Sequence, residues 1–261
     1  MSTSKNLLII QAHPDDTEGW SAGTLALLKD KGWNISVATM TAGDMGSYVM
    51  NEEETALRRK KEAAAAAKVL KADYYCLDQK DGFLFDSQEI RIKTISLIRK
   101  CKADVVITHT PFDYHKDHRT THDIVDAAVM ICTLPNVPSE EEPLKKTPVF
   151  YHNMPFNLTD FMGFPAPEPH FFVDISGKPV EVKMEMLSHH KSQIELMHQM
   201  MGIEDFFDEM KKFNAYLGKM IGVEHAECYW QHLGAGFPDE PLLQNELSEY
   251  IYHRKTQENN K

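Results

Sequence analysis

The chain has 261 residues, room for one large α/β domain or two small ones with a sizeable core, and its 42% hydrophobic and 26% charged composition is that of a folded protein. Twenty-eight basic against 39 acidic side chains leave a formal charge of −11, which repels a phosphate backbone and argues against sequence-independent nucleic-acid binding. No apolar run nears the roughly 20 residues that span a bilayer. The apolar stretch 7–10 has neither the length nor the cleavage site of a signal peptide, so the expectation is a cytoplasmic protein with no membrane partner.

In chain order, short β-branched runs alternate with stretches of helical period. Residues 7–11 read as a buried strand and 19–31 as a helix. A second strand covers 34–40, followed by a strong helix over 52–71 with five consecutive alanines at 63–67. Residues 73–77 form a third strand, and Ser87 caps a helix running to Cys101, with Glu89 in its first turn. A fourth strand at 104–108 precedes a helix over 119–131. This alternation predicts a mostly parallel sheet with helices on both faces, a Rossmann-like three-layer α/β/α sandwich. The Pro-rich stretch 133–169 reads as an irregular excursion with one strand at 149–152. Beyond it come a strand at 170–175, one long helix over 180–200, another over 204–220, and a polar tail at 247–261. No internal repeat or linker interrupts the chain, which is read as one domain. Cys76, Cys101, Cys132 and Cys228 lie far apart with no C-x-x-C pair, and read as buried thiols.

Two clusters carry the chemistry. His13-Pro14-Asp15-Asp16 stands at the carboxyl end of the first strand, and Asp113-Tyr114-His115-Lys116-Asp117-His118 follows the fourth. In the common doubly-wound strand order these two strands are neighbours where the order reverses, and ligands bind in the crevice outside their carboxyl ends. The clusters, about 100 residues apart, are therefore expected to face each other. Imidazole nitrogen and carboxylate oxygen suit a catalytic zinc ion, which keeps three protein ligands and an open position. His13, Asp16 and His118 supply two nitrogens and one oxygen. Asp15 is then left beside the metal to take the proton of the attacking water. His115 can donate to a developing oxyanion, with Asp117 holding its tautomer and favouring its protonated form. Fe²⁺ suits the same donors as Zn²⁺. Each cluster alone also reads as a loop with helix-capping aspartates; their conjunction at two adjacent strand ends is the specific signal.

These residues resemble the signature of the LmbE-like, or PIG-L, family of zinc-dependent N-deacetylases. The resemblance covers most of the chain. It includes Ala12-His13-Pro14-Asp15-Asp16, Ala22-Gly23-Thr24, the loop Thr41-Ala42-Gly43-Asp44, Arg59-Lys60-Lys61-Glu62, Asp81-Gly82 and His115-Lys116-Asp117-His118. Later elements are His190-Lys191-Ser192-Gln193 and His225-Ala226-Glu227. Lys116 stands where the family usually has proline, and 133–169 matches no family motif. The resemblance implies a deacetylase fold, the same ligand and base assignments, and an N-acetylglucosamine-type sugar conjugate as substrate. By the same matching Asp44, Arg59 and Asp81 are candidates for contacting sugar hydroxyls, with a structural salt bridge or turn cap the alternative reading of each. His190 in H-K-S-Q is a candidate to reach the crevice, against a surface or hydrogen-bonded core histidine. Homo-oligomers are common among proteins of this kind, and assembly stays open.

Two other classes compete with this reading. A metal-binding protein without hydrolytic activity would have no use for Asp15, a carboxylate left outside the ligand set. A nucleotide-binding module would need G-x-G-x-x-G after the first strand, where H-P-D-D stands instead. A deacylase acting on a non-sugar amide is the alternative substrate reading. Trp20, Phe83, Phe112, Tyr114 and Trp230 could line a sugar platform, although aromatic residues at strand ends are more often packing.

Overall fold

The computed structural model describes residues 4–254. Five strands form a block of parallel neighbours: β1 (Asn6–Gln11), β2 (Asn34–Thr41), β3 (Asp73–Gln79), β4 (Val105–Thr108) and β5 (Val149–Asn153). They are extended by β6 (Phe171–Asp174), β7 (Ala226–Gln231) and β8 (Ile251–Tyr252), giving the order β3-β2-β1-β4-β5-β7-β6-β8. β7 runs antiparallel to β5 and β6, and β8 antiparallel to β6. The sheet is mostly parallel, as expected.

The continuous run Leu7-Leu8-Ile9-Ile10 follows from burial on both faces, which removes the need for alternation. Leu7 and Ile9 enter the layer that contains Leu25 and Leu28 of α2 (Ala22–Asp30). Leu8 and Ile10 enter the opposite layer, with Ile98 of α4 (Gln88–Lys100) and Val125 of α5 (Lys116–Ile131). α3 (Glu52–Val69) starts at a capping box in which Asn51 accepts from Glu54 N–H and the Glu54 carboxylate accepts from Asn51 N–H. Its small Ala63, Ala66 and Ala67 are buried. Ser87 caps α4 by accepting from Ile90 N–H, as its sequence position predicts.

The register pairs Leu7 with Val105 and Ile9 with Ile107, so β1 and β4 are adjacent. The helices that follow them pack on opposite faces. The strand order reverses at this pair, and a crevice opens outside its carboxyl ends.

Three sequence expectations need correction. The helix expected over 19–31 is two helices, α1 (Asp16–Trp20) and α2, which break at Ser21. The helix expected over 180–200 is also two, α6 (Lys178–Leu187) and α7 (Lys191–Met201). Here a tertiary contact overrides local period: Glu62 of α3 accepts the backbone N–H and the hydroxyl of Ser192, so α7 starts afresh against α3. The polar tail is part of the fold, since Leu247 is fully buried and Ile251–Tyr252 pairs with β6. Residues 255–261 of that tail lie outside the described residues. The sequence reading also passed over β7 and the short α9 (Leu242–Glu246); α8 (Phe206–Ile221) is close to its expected span.

Candidate active site

The loop after β1 makes a tight turn. Asp15 adopts a left-handed backbone (φ 99°), and its carbonyl accepts Gly19 N–H at 2.8 Å, starting α1 immediately behind the loop. Aspartate is among the few L-residues that occupy positive φ with little penalty. Asp16 turns back, accepting His13 N–H at 2.7 Å. Its carboxylate faces three imidazoles: His13 Nδ1 at 3.3 Å, His118 Nε2 at 3.4 Å and His109 Nε2 at 3.4 Å. Burial acts to raise the Asp16 pKa, but His118 first and then His13 outweigh it and hold the carboxyl well below its usual range. Asp15 differs. Burial pushes it up to about 7, with Arg59 opposing and Asp16 adding to the rise.

The second cluster closes the crevice from β4. His115 caps α5, and its Nδ1 accepts Asp117 N–H at 3.2 Å. Asp113 Oδ1 pairs with His118 Nδ1 at 2.9 Å, which leaves His118 Nε2 toward Asp16. Burial disfavours protonation of His118, yet Asp16 and Asp113 raise its pKa to about 9. Burial, together with His13 and His118, lowers His115 to about 4.

The roles expected of Asp117 and His115 need correcting at this point. The Asp117 carboxylate does not hold the His115 ring. It accepts Gly82 N–H at 2.7 Å and lies 3.5 Å from His13 Nε2. What sets the His115 tautomer is the Asp117 backbone amide. The Asp117 charge does favour the protonated ring, as expected, but burial with His13 and His118 outweighs it and holds His115 neutral.

Among the described residues three groupings have donor atoms close enough to share an ion: His13 with His115 and His118; Asp16 with His109 and His118; His13 with Asp81 and Asp117. The expected set His13, Asp16 and His118 is divided between them, although both histidines meet Asp16. His13 Nε2 is buried with Asp81 Oδ1 at 3.1 Å and Asp117 Oδ2 at 3.5 Å, neither aligned for a hydrogen bond to it. An orphaned imidazole nitrogen among carboxylates fits a divalent cation of the zinc or iron type.

The four expected sugar-contact residues have protein partners. Arg59 is almost fully buried and donates to Gly43 O at 3.1 Å, Pro14 O at 2.9 Å and Asp15 Oδ1 at 3.3 Å. Gly43 is required here, because a Cβ would overlap the Arg59 guanidinium and the residue has φ 64°. Asp44 Oδ1 accepts Asp81 N–H at 3.0 Å, and Asp81 Oδ1 lies 3.1 Å from His13 Nε2. His190 is buried with its Nε2 3.3 Å from Glu18. Of the aromatic candidates, Trp20 and Trp230 are buried and Phe83 is exposed. Tyr114 is half exposed, its ring 5.8 Å from that of His115 and 5.4 Å from that of His118.

The sequence reading missed His109 and Glu18 as members of the site. His109 had a usable signal, since it directly follows the fourth strand at the same carboxyl edge as the two clusters. Glu18, inside a helix, had none.

Behind the site, burial holds His152 of β5 neutral, its pKa well below the usual value, with His122 adding to the shift. Its Nδ1 donates to His109 O at 3.0 Å. Below about pH 6.5 the unfolded chain takes up a proton that the folded site refuses, so stability is lost as pH falls. Urea midpoints are expected to drop from pH 8 to pH 5, with a smaller drop in His152→Gln. An equal drop in that variant would assign the acid sensitivity elsewhere.

Fold and site together define a Rossmann-like α/β protein with a His/Asp centre at the topological switch point. The family model described as PIG-L, GlcNAc-PI de-N-acetylase, matches residues 8–129. Diacetylchitobiose deacetylase of Thermococcus kodakarensis is 29% identical over 233 residues, 85% of this chain and 81% of the relative. The crystal structure of the conserved protein TT1542 from Thermus thermophilus is 30% identical, with a TM-score of 0.72 over 88% of this chain and 95% of its own. N,N'-diacetylchitobiose deacetylase from Pyrococcus horikoshii, solved with its inhibitor MPG, is 25% identical, with a TM-score of 0.74 over 92% of this chain and 89% of its own. The chain belongs to the PIG-L family and has the LmbE-like deacetylase fold. No helix among the described residues is long and apolar enough to cross a membrane.

Proposed function

We propose that the protein is a metal-dependent hydrolase that removes the acetyl group from an N-acetylglucosamine-type sugar conjugate. The observation that carries this reading is the meeting of His13, Asp16 and His118 at the β1–β4 crevice, with the separate carboxylate of Asp15 beside them. The relatives' names support an N-acetylated sugar as the substrate class.

His13, Asp16 and His118 would hold the cation, Zn²⁺ or Fe²⁺. When bound, such an ion supplies the Lewis acidity that polarises an amide carbonyl and lowers the pKa of water toward about 7. Asp15 takes a proton from the attacking water and returns it to the departing amine, giving acetate and a free amino sugar. Arg59 keeps the Asp15 carboxylate oriented through its 3.3 Å contact. His115 accepts the Asp117 amide at Nδ1, so its ring proton resides on Nε2. That N–H is the donor for the developing oxyanion, and it needs no imidazolium.

The test couples metal analysis with acetate release. Protein as isolated, chelated and zinc-restored would be given a panel of N-acetylglucosamine conjugates. Zinc-dependent acetate is expected, and protein that takes up no cation under any condition would overturn the reading. His118→Ala is expected to lose the ion; stoichiometric zinc retained in that variant would show the ligand assignment to be wrong.

A further inference from the structure

His109 belongs to none of the motifs, yet it is completely buried at the centre of the site. It is the residue immediately after β4. Its ring lies parallel to that of His118, with centroids 3.9 Å apart and planes 7° from coincidence. Its Nε2 accepts the backbone N–H of Ala12, the residue before the His13 loop, at 2.9 Å. Proximity alone groups His109 with Asp16 and His118 as a set that could share an ion. The hydrogen bond argues otherwise. A nitrogen lone pair that accepts Ala12 N–H is not available to a cation, and the other ring nitrogen, Nδ1, is turned toward Asp113 at 3.9 Å.

We propose that His109 is a positioning residue for the cation site. Its ring serves as a flat wall that sets the plane of His118, and the Ala12 bond fixes that wall to the end of β1. Asp113 sets the tautomer of His118 through Nδ1, and His109 sets its orientation, so Nε2 stays aimed at Asp16 before any ion arrives. Both clusters are thereby tied to each other through a residue in neither. The inference rests on the proposed ligand role of His118. It adds that orientation of the ligand, and not only its presence, determines affinity. Groups that orient metal-bound histidines typically change affinity by about 10–100-fold when removed.

The two contacts of His109 can be separated by substitution. His109→Gln can still accept Ala12 N–H but has no ring. His109→Phe has the ring but leaves the buried Ala12 N–H without a partner, which costs stability. Zinc dissociation constants would be measured by chelator competition on the full chain, alongside thermal midpoints without metal.

The expected result is that affinity follows the ring and stability follows the acceptor. His109→Gln should hold its midpoint near wild type and bind zinc about 10–100-fold more weakly. His109→Phe should melt earlier yet bind zinc within about threefold of wild type, a departure well short of the loss expected for an orienting group. His109→Ala should lose both. Wild-type affinity in His109→Gln would overturn the proposal, even if His109→Phe failed to fold. So would affinity that simply tracks the melting midpoint across the three variants. Absence of zinc binding in the wild-type protein would instead overturn the underlying metal reading, so the two failures are distinguishable.

Discussion

Asp15→Asn is expected to lower turnover about 10²–10⁴-fold, the range associated with a positioned general base, while leaving the bound cation in place. The substitution suits this position. Asparagine tolerates the left-handed backbone that Asp15 adopts, and its carbonyl oxygen can still accept from Arg59. Asp15 contacts none of the three imidazoles that surround Asp16, so losing its charge removes a proton acceptor and no ligand. The measurement is acetate release per bound metal ion, with metal content and melting midpoint as controls. Activity within about threefold of wild type, far above the loss expected for a base, would show that another group takes the proton. Loss of the metal together with activity would place Asp15 among the ligands.

The second large effect lies away from the chemistry. Glu227 of β7 and Lys183 of α6 form an ion pair at 2.9 Å with both side chains fully buried. Glu227 also accepts Thr24 N–H at 2.8 Å, Gly23 N–H at 3.1 Å and the hydroxyls of Thr24 and Tyr229. Lys183 additionally donates to Gly19 O at 2.8 Å. One carboxylate therefore fastens the first turn of α2 to the antiparallel part of the sheet, and Lys183 brings in the end of α1. Burial pulls the Lys183 pKa down despite the attraction of Glu227.

Glu227→Ala leaves the Lys183 ammonium and the amides of Gly23 and Thr24 without their acceptor. Removing one member of a buried pair costs about 3–5 kcal/mol, equivalent to a melting shift on the order of 10 °C for a chain of this size. Lys183→Met should cost less, because Glu227 retains four donors and the methionine fills the space. Thermal and urea unfolding of both variants would test this ordering. A larger loss in Lys183→Met would mean that the ammonium, and not the carboxylate, organises the network.

Much of the site was legible in the chain itself. The H-P-D-D and H-x-D-H clusters could be placed opposite each other because strand alternation and the rule for doubly-wound sheets locate the crevice without coordinates. What could not be read was which atom of each residue meets which partner. Asp117 stands two residues from His115, and adjacency suggested that its carboxylate held that ring. The helix start that places Asp117 directs the carboxylate to Gly82 and His13 and presents the backbone amide to His115. Arg59, expected at a sugar, is drawn inward because Gly43 has no side chain to exclude it. His109 was overlooked because it stands outside any repeated pattern.

The fold divides in the same way. Local sequence determined the first five strands, the alanine-rich helix, the Ser87 cap and the position of the crevice, since apolar runs, caps and alternation act over a few residues. Tertiary structure decided where helices break and where the sheet ends. Glu62 starts α7 by reaching across from α3, Glu18 draws His190 inward, and β8 exists only because β6 offers an open edge. Each of these depends on partners far apart along the chain. Their free energy comes from burial and pairing that appear only once the elements have packed, so no window of sequence contains them.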